Sequence, residues 1–351
     1  MGSSGARRVL VIRLSSLGDV ARLLPSLRAL NSVPGLEADL TTEDRFSPLL
    51  SIFPYARDVI AYPRRGAGSP FRSPLTWGRS MKSYFAALRG KHYDLALDLH
   101  GILRSALVAH LSGARECAGY ARGFGKEGSH LFYGRKLMPA DSPFISRYER
   151  YAGAIEAIGA PSPSGDYLEP MLPEAALSRV QRLLGGWNLA AGKYAVAFIG
   201  TSRAQRRKRW PFGHFLACAE ALFCETGIVT VISWGPEEAG LIGDIPSRPA
   251  LRVPPLLSLP ETLALIKGCR LFIGADTGFT HLSALMGTPT AAIMGPTDPT
   301  LNRPFGNRFR IIFKPGIRRE CRGEGCAHDD CMAKIEPAEV LSAALGLLEQ
   351  A

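Results

Sequence analysis

Arg7-Arg8-Val9-Leu10-Val11-Ile12-Arg13-Leu14-Ser15-Ser16-Leu17-Gly18-Asp19-Val20 sets the fold class of this chain. Val9 to Ile12 run together without polar alternation, the pattern of a strand covered on both faces in a parallel sheet. The polar loop Ser15 to Asp19 follows, and Val20, Leu23, Leu24, Leu27 and Leu30 then recur at helical spacing. Strand, loop and helix in that order open a βαβ unit. Pro25 falls within two turns of a helix begun at about Val20, which predicts a kink or a later start.

The alternation continues outward from this stretch. Strands are predicted at 38–40, 59–62 and 95–99, separated by segments long enough for crossover helices. Ala160-Pro161-Ser162-Pro163-Ser164-Gly165 is linker chemistry placed almost halfway. Beyond it the pattern restarts: a helix at 174–184, strands at 194–198, 228–233, 271–274, 290–294 and 309–313, and a final amphipathic helix at 337–348. The chain reads as α/β, with two Rossmann-like domains, 1–165 and 166–351, facing a central cleft.

Size and composition agree with two domains. The chain has 351 residues, 46% of them hydrophobic and 21% charged, which is ordinary globular usage and excludes a disordered chain. No apolar run approaches the ~18 residues of a membrane span, and the first residues lack the apolar core of a signal peptide. A cytoplasmic protein is expected. Seven cysteines, an odd number in a long chain, predict reduced thiols.

Charge is distributed unevenly. Up to Gly165 there are 22 basic and 13 acidic residues; the remainder holds 20 and 18. Eight basic residues and one acid, Asp58, lie between Arg57 and Lys91. Such a field suits an anionic partner of the first domain, whether nucleic acid, a phosphorylated glycolipid or an anionic membrane face.

The loops after the strands carry the candidate chemistry. No Gly-x-Gly-x-x-Gly follows the first strand and no P-loop is present. Instead Asp19 stands just beyond the carboxyl end of that strand, where open α/β sheets place ligands. A carboxylate there can take a proton from a substrate hydroxyl, or it can cap the following helix; Gly18 lets the backbone approach a ligand. In the second half, Thr201 and Ser202 follow the strand at 194–198. They precede Arg203, Arg206, Arg207, Lys208 and Arg209. Small residues with converging cations describe a phosphate site, or else a solvated basic loop.

Gly274-Ala275-Asp276-Thr277-Gly278-Phe279-Thr280-His281 reads as strand end, tight turn and helix start. Amides around 277–280 suit an anion, and Asp276 suits those amides or a sugar hydroxyl. His281 reads as a packing residue or as a minor catalytic candidate. The loop at 295–299 lies on the same rim. Cys321, Cys326 and Cys331 with His328 invite a zinc reading, but the spacing is not that of a zinc pair, and no metal is predicted. No Asp-x-Asp stands at a strand end to hold a cation on a pyrophosphate.

These pieces together resemble the heptosyltransferases of glycosyltransferase family 9, which build the inner core of lipopolysaccharide. The resemblance rests on five motifs. They are Arg13-Leu14-Ser15-Ser16-Leu17-Gly18-Asp19-Val20 with Leu24-Pro25; 98–105, Asp98-Leu99-His100-Gly101-Ile102-Leu103-Arg104-Ser105; Lys208-Arg209-Trp210-Pro211; Asp276-Thr277-Gly278 with His281-Leu282; and Gly287-Thr288-Pro289 through Gly295-Pro296-Thr297. Lys126-Glu127 with Leu131-Phe132-Tyr133 resembles the heptosyltransferase I branch, which adds the first heptose to Kdo. The family often has His-Thr where this chain has Arg22-Leu23, and Gln where it has His100.

The resemblance implies a GT-B fold, inversion at the anomeric carbon, and ADP-heptose as a donor substrate with no cofactor. It implies a general base at Asp19. It implies a donor site in the second domain made by Thr201, Ser202, Lys208, Asp276, Thr277, Gly278 and His281, with the ribose held by Glu237 or Glu238. The acceptor, an anionic Kdo-bearing lipid A, would meet Ser16, Gly18, Arg64, Arg65, His100, Arg104, Arg122 and Arg150 in the first domain. Transient contact with the inner face of the cytoplasmic membrane follows from such an acceptor, and no nucleic acid is expected. The alternatives are a family 9 transferase with another nucleotide sugar or glycan acceptor, and, more distantly, a basic nucleic-acid-binding protein.

Overall fold

Val9, Leu10, Val11 and Ile12 are fully buried in a computed structural model that describes residues 6–64, 73–138, 145–243, 248–314 and 331–350. They lie on β1 (Arg7–Ile12), which pairs in parallel with β2 (Leu36–Glu43) on one side and β4 (Leu95–Asp98) on the other. Apolar strands of this kind need cover on both faces, and the intervening helices supply it. They are α1 (Leu17–Asn31), α2 (Ser47–Ile52), α3 (Pro74–Gly90), α4 (Leu103–Leu111) and α5 (Arg147–Glu156). With β3 (Val59–Tyr62), β5 (Glu116–Tyr120) and β6 (Arg135–Leu137), the described strands of this unit form one sheet in the order β3-β2-β1-β4-β5-β6.

The second unit repeats the plan. Its helices are α6 (Glu174–Gly186), α7 (Phe212–Thr226), α8 (Ala239–Ile242), α9 (Leu259–Lys267), α10 (Gly278–Leu285) and α11 (Pro337–Glu349). Its strands are β7 (Tyr194–Phe198), β8 (Val229–Ser233), β9 (Leu251–Arg252), β10 (Leu271–Ala275), β11 (Thr290–Ile293) and β12 (Phe309–Ile312), in the order β12-β11-β10-β7-β8-β9. Counted from each unit's first strand, both sheets follow the Rossmann order 3-2-1-4-5-6. The chain divides into compact units Met1–Gly165 and Asp166–Ala351.

The local differences from the sequence expectation have physical reasons. Helix α1 begins at Leu17 rather than Val20, because Ser16 and Asp19 close a capping box at its start. It then runs past Pro25 to Asn31 without ending. Strands β5 and β6 carry almost no β-branched residues, and β9 has two residues, so none gives the usual strand pattern. Among the described residues no helix is long and apolar enough to cross a membrane.

Candidate active site

A ligand crevice in such a sheet opens at the carboxyl ends of the two strands where the order reverses. In the first unit those are β1 and β4; Asp19 follows the first in the opening turn of α1, and His100 lies in the loop leaving the second. In the second they are β7 and β10, whose loops carry Thr201 and Asp276. Each unit therefore holds its candidate residues at its own switch point.

In the first unit the Asp19 carboxylate is fully engaged. Its Oδ2 accepts from the Ser16 amide (3.3 Å), the Ser16 hydroxyl (3.1 Å) and Arg13 Nη2 (2.5 Å). Its Oδ1 accepts from Arg22 Nη1 and Arg147 Nη1, each at 2.9 Å. Burial works to raise this carboxyl, but Arg13, Arg147 and Arg22 overcome it and hold Asp19 well below the usual carboxylate range. Asp19 thus does cap α1, and it is also the ionised centre of a buried cationic ring. Arg13 spans the switch point, since its Nη1 donates to the Leu99 carbonyl at 3.0 Å.

Asp98 shapes the facing loop. Fully buried, it accepts from the amides of His100 (2.8 Å) and Gly101 (3.1 Å) and from the Tyr133 hydroxyl (2.6 Å). Gly101 has φ +71° and would set a Cβ 2.9 Å from the Tyr120 ring, so a side chain is excluded there. Burial, helped by Arg13, Arg104 and Arg147, pushes the His100 imidazole down to about 3, leaving it neutral at ordinary pH. His100 Nδ1 and the Tyr120 hydroxyl are buried without a hydrogen-bond partner among the described residues.

The remaining acceptor candidates are less concentrated. Gly18 is buried beside Asp19, and Ser16 is exposed but turned to that carboxylate. Arg150 lies 5.8 Å from the Tyr120 ring and donates to the Phe124 carbonyl. Arg104 and Arg122 are exposed. Arg64 is paired with Glu43 Oε1 at 2.5 Å. Arg65 lies outside the described residues.

In the second unit Lys208 Nζ meets Asp276 Oδ2 at 2.7 Å, and His281 Nε2 donates to Asp276 Oδ1 at 2.9 Å. His281 is buried, so it holds Asp276 from behind. Trp210 fixes the basic loop: its fully buried indole donates to the Ile335 carbonyl at 2.8 Å and packs on Phe215. Thr277 is the N-cap of α10 but makes no side-chain capping bond, which leaves the first amides of the helix, from Gly278, without that partner. Glu238 is sealed inside, accepting from the amides of Thr201 (3.3 Å) and Gly235 (3.2 Å) and paired with Arg209. Glu237 and Ser202 remain at the surface.

Four hydroxyls along this rim, on Thr201, Ser233, Thr277 and Thr297, are buried without a partner among the described residues. Buried polar groups are almost always paired, so this row suits a polar ligand. Sequence reasoning did not single out Ser233, Tyr120 or Arg147. Arg147 carried one signal: a cation in the first turn of a helix opposes the helix dipole and calls for a carboxylate partner.

Comparison with known proteins identifies the family. The profile of glycosyltransferase family 9 (heptosyltransferase) matches residues 81–331. The chain belongs to glycosyltransferase family 9. It is 30% identical to lipopolysaccharide heptosyltransferase 1 of Pseudomonas aeruginosa, over 85% of this chain and 81% of that one. It is 28% identical to lipopolysaccharide heptosyltransferase 1 of Escherichia coli, over 88% of this chain and 92% of that one. Among solved structures it is similar to E. coli heptosyltransferase WaaC with ADP, at TM-score 0.72 and 26% identity over 97% of this chain and 99% of that one. The same enzyme with ADP-2-deoxy-2-fluoro heptose gives TM-score 0.70 at 26% identity, over 98% of this chain and 100% of that one. This family 9 protein is a glycosyltransferase, a transferase of the heptosyltransferase family, and its Rossmann-like units are those of the GT-B fold.

Proposed function

We propose that this family 9 enzyme transfers heptose from ADP-heptose to a Kdo-bearing inner-core lipopolysaccharide acceptor, with inversion at the anomeric carbon. The observation that carries the reading is the buried, ionised Asp19 ringed by Arg13, Arg22 and Arg147 at the switch point of the first unit. One residue supplies a base, and its ring supplies cations for an acidic sugar. The similarity to lipopolysaccharide heptosyltransferases 1 and to WaaC bound to ADP and an ADP-heptose analogue supports donor and acceptor alike.

A carboxylate offers about four lone-pair positions, and five donors already approach Asp19. One must leave before a substrate hydroxyl can bind. Arg13 and Arg22 are nearly sealed, whereas the Arg147 side chain is 40% exposed. Arg147 is the donor that yields, turning to the acceptor's carboxylate or phosphate as the hydroxyl takes its place. Asp19 then accepts the hydroxyl proton while the oxygen forms its bond to the anomeric carbon and the bond to the ADP oxygen breaks on the opposite face.

Negative charge grows on the departing pyrophosphate. Lys208 and the open amides beginning at Gly278 meet it, the pre-placed stabilisation that acts mainly in the transition state. Glu237 is the carboxylate left to hold the ribose. A panel of nucleotide sugars incubated with Kdo-bearing lipid A tests the assignment. The expected product gains one heptose and forms only with ADP-heptose; efficient transfer from another nucleotide sugar would replace the donor.

A further inference from the structure

The outer face of the α3/α4 layer differs from an ordinary solvated surface. The two helices share one core cluster on the sheet, with Met81, Tyr84 and Leu88 beside Val108 and Ala109. They meet where Arg89 Nε donates to the Leu111 carbonyl at 3.1 Å. Neither Pro74–Gly90 nor Leu103–Leu111 contains an acidic residue, while Arg79, Lys82, Arg89 and Arg104 are all exposed. Leu103, Leu107 and Leu111, at i, i+4 and i+8, are 39%, 40% and 39% exposed, and Leu131 beside them is 76% exposed. The neighbouring Glu127 is turned to the Leu103 amide at 3.2 Å.

Surface helices usually turn leucines inward and mix charges of both signs outward. Leucines standing out among cations of one sign are the composition of an element that lies on a membrane. We propose that the α3/α4 face docks on an anionic phospholipid bilayer, its leucines at headgroup level and Arg79, Lys82 and Arg89 against lipid phosphates. This deepens the lipid-acceptor reading and rests on it for its purpose, though the docking is measured without any sugar. Helix α4 starts directly after the loop carrying His100, so a bilayer on this face brings lipid-linked sugars to the rim that holds Asp19.

The test is co-sedimentation of the full chain with vesicles of phosphatidylglycerol and phosphatidylcholine, or of phosphatidylcholine alone. Binding should need the anionic lipid and fall steeply in high salt. Arg79→Gln with Lys82→Gln should weaken it about 25-fold, since each cation near an anionic surface is worth roughly fivefold. Leu107→Gln should weaken it several-fold, and each variant should keep wild-type turnover on a delipidated acceptor. Equal binding to neutral vesicles, or unchanged binding by the variants, overturns the proposal. So does a wild-type dimer that Leu107→Gln converts to monomer, because the leucines would then belong to a second copy. Normal vesicle binding without heptose transfer would leave the docking face intact and overturn only the substrate reading.

Discussion

Arg22 Nη1 lies 2.9 Å from Asp19 Oδ1, one turn along the same helix, and both side chains are nearly sealed from solvent. Beside Asp19 this chain thus places a permanent cation. The proposed base is therefore fully ionised but weakened, and its strength depends on which guanidiniums remain beside it.

Replacing Arg22 by glutamine tests that dependence, because a histidine would itself be charged at the acid pH where this carboxyl titrates. The Asp19 carboxyl is held below its ordinary value of 3.8, so loss of one cation must raise it. The acid limb of kcat/KM should move to higher pH in Arg22→Gln, with the alkaline limb unmoved. An acid limb in the wild-type position would detach Arg22 from the base.

The same linkage governs stability. A depressed carboxyl contributes stability that is present above its unfolded value of 3.8 and is lost as pH falls through its folded value. Asp19→Asn should lower Tm at pH 7 and narrow its difference from wild type as the pH drops below 3.8. A constant difference across that range would place the effect elsewhere.

Glu237 and Glu238 should separate cleanly. Glu238→Gln loses the pairing with Arg209 and leaves Thr201 and Gly235 amides poorly met, costing about 2 kcal/mol and several degrees of Tm. Glu237→Gln should leave Tm unchanged and raise the donor KM. The reverse assignment of effects would move the ribose contact to Glu238.

Lys208→Ala should weaken ADP binding and slow transfer together, by about 10²–10³ in kcat/KM. With Lys208 and helix amides meeting the pyrophosphate, chelation by EDTA should leave the wild-type rate intact. A rate abolished by EDTA and restored by magnesium would reassign the leaving-group charge to a metal.

Much of the fold was legible because strands of a parallel sheet announce themselves as unbroken apolar runs: 59–62, at the end of its sheet, and the fully buried 194–198 have the same bounds in sequence and structure. Strands β5 and β6 were not legible, since Glu-Cys-Ala-Gly-Tyr and Arg-Lys-Leu take their extended form from neighbours in the sheet and not from their own preference. Loop residues after strands pointed to both switch points. Arg147 escaped notice because it reaches Asp19 from 128 positions away, through packing that local periodicity does not encode. The burial of Glu238 beside an exposed Glu237 likewise depends on the turn at Gly235, where adjacent identical residues face opposite environments.

The most direct measurement is ADP release from ADP-heptose, with and without Kdo-bearing lipid A, by wild type and Asp19→Asn. The predicted result is acceptor-dependent release by wild type, and a fall of about 10²–10⁴ in kcat for Asp19→Asn with ADP affinity retained. Release by Asp19→Asn at the wild-type rate would contradict the assignment of Asp19 as the base.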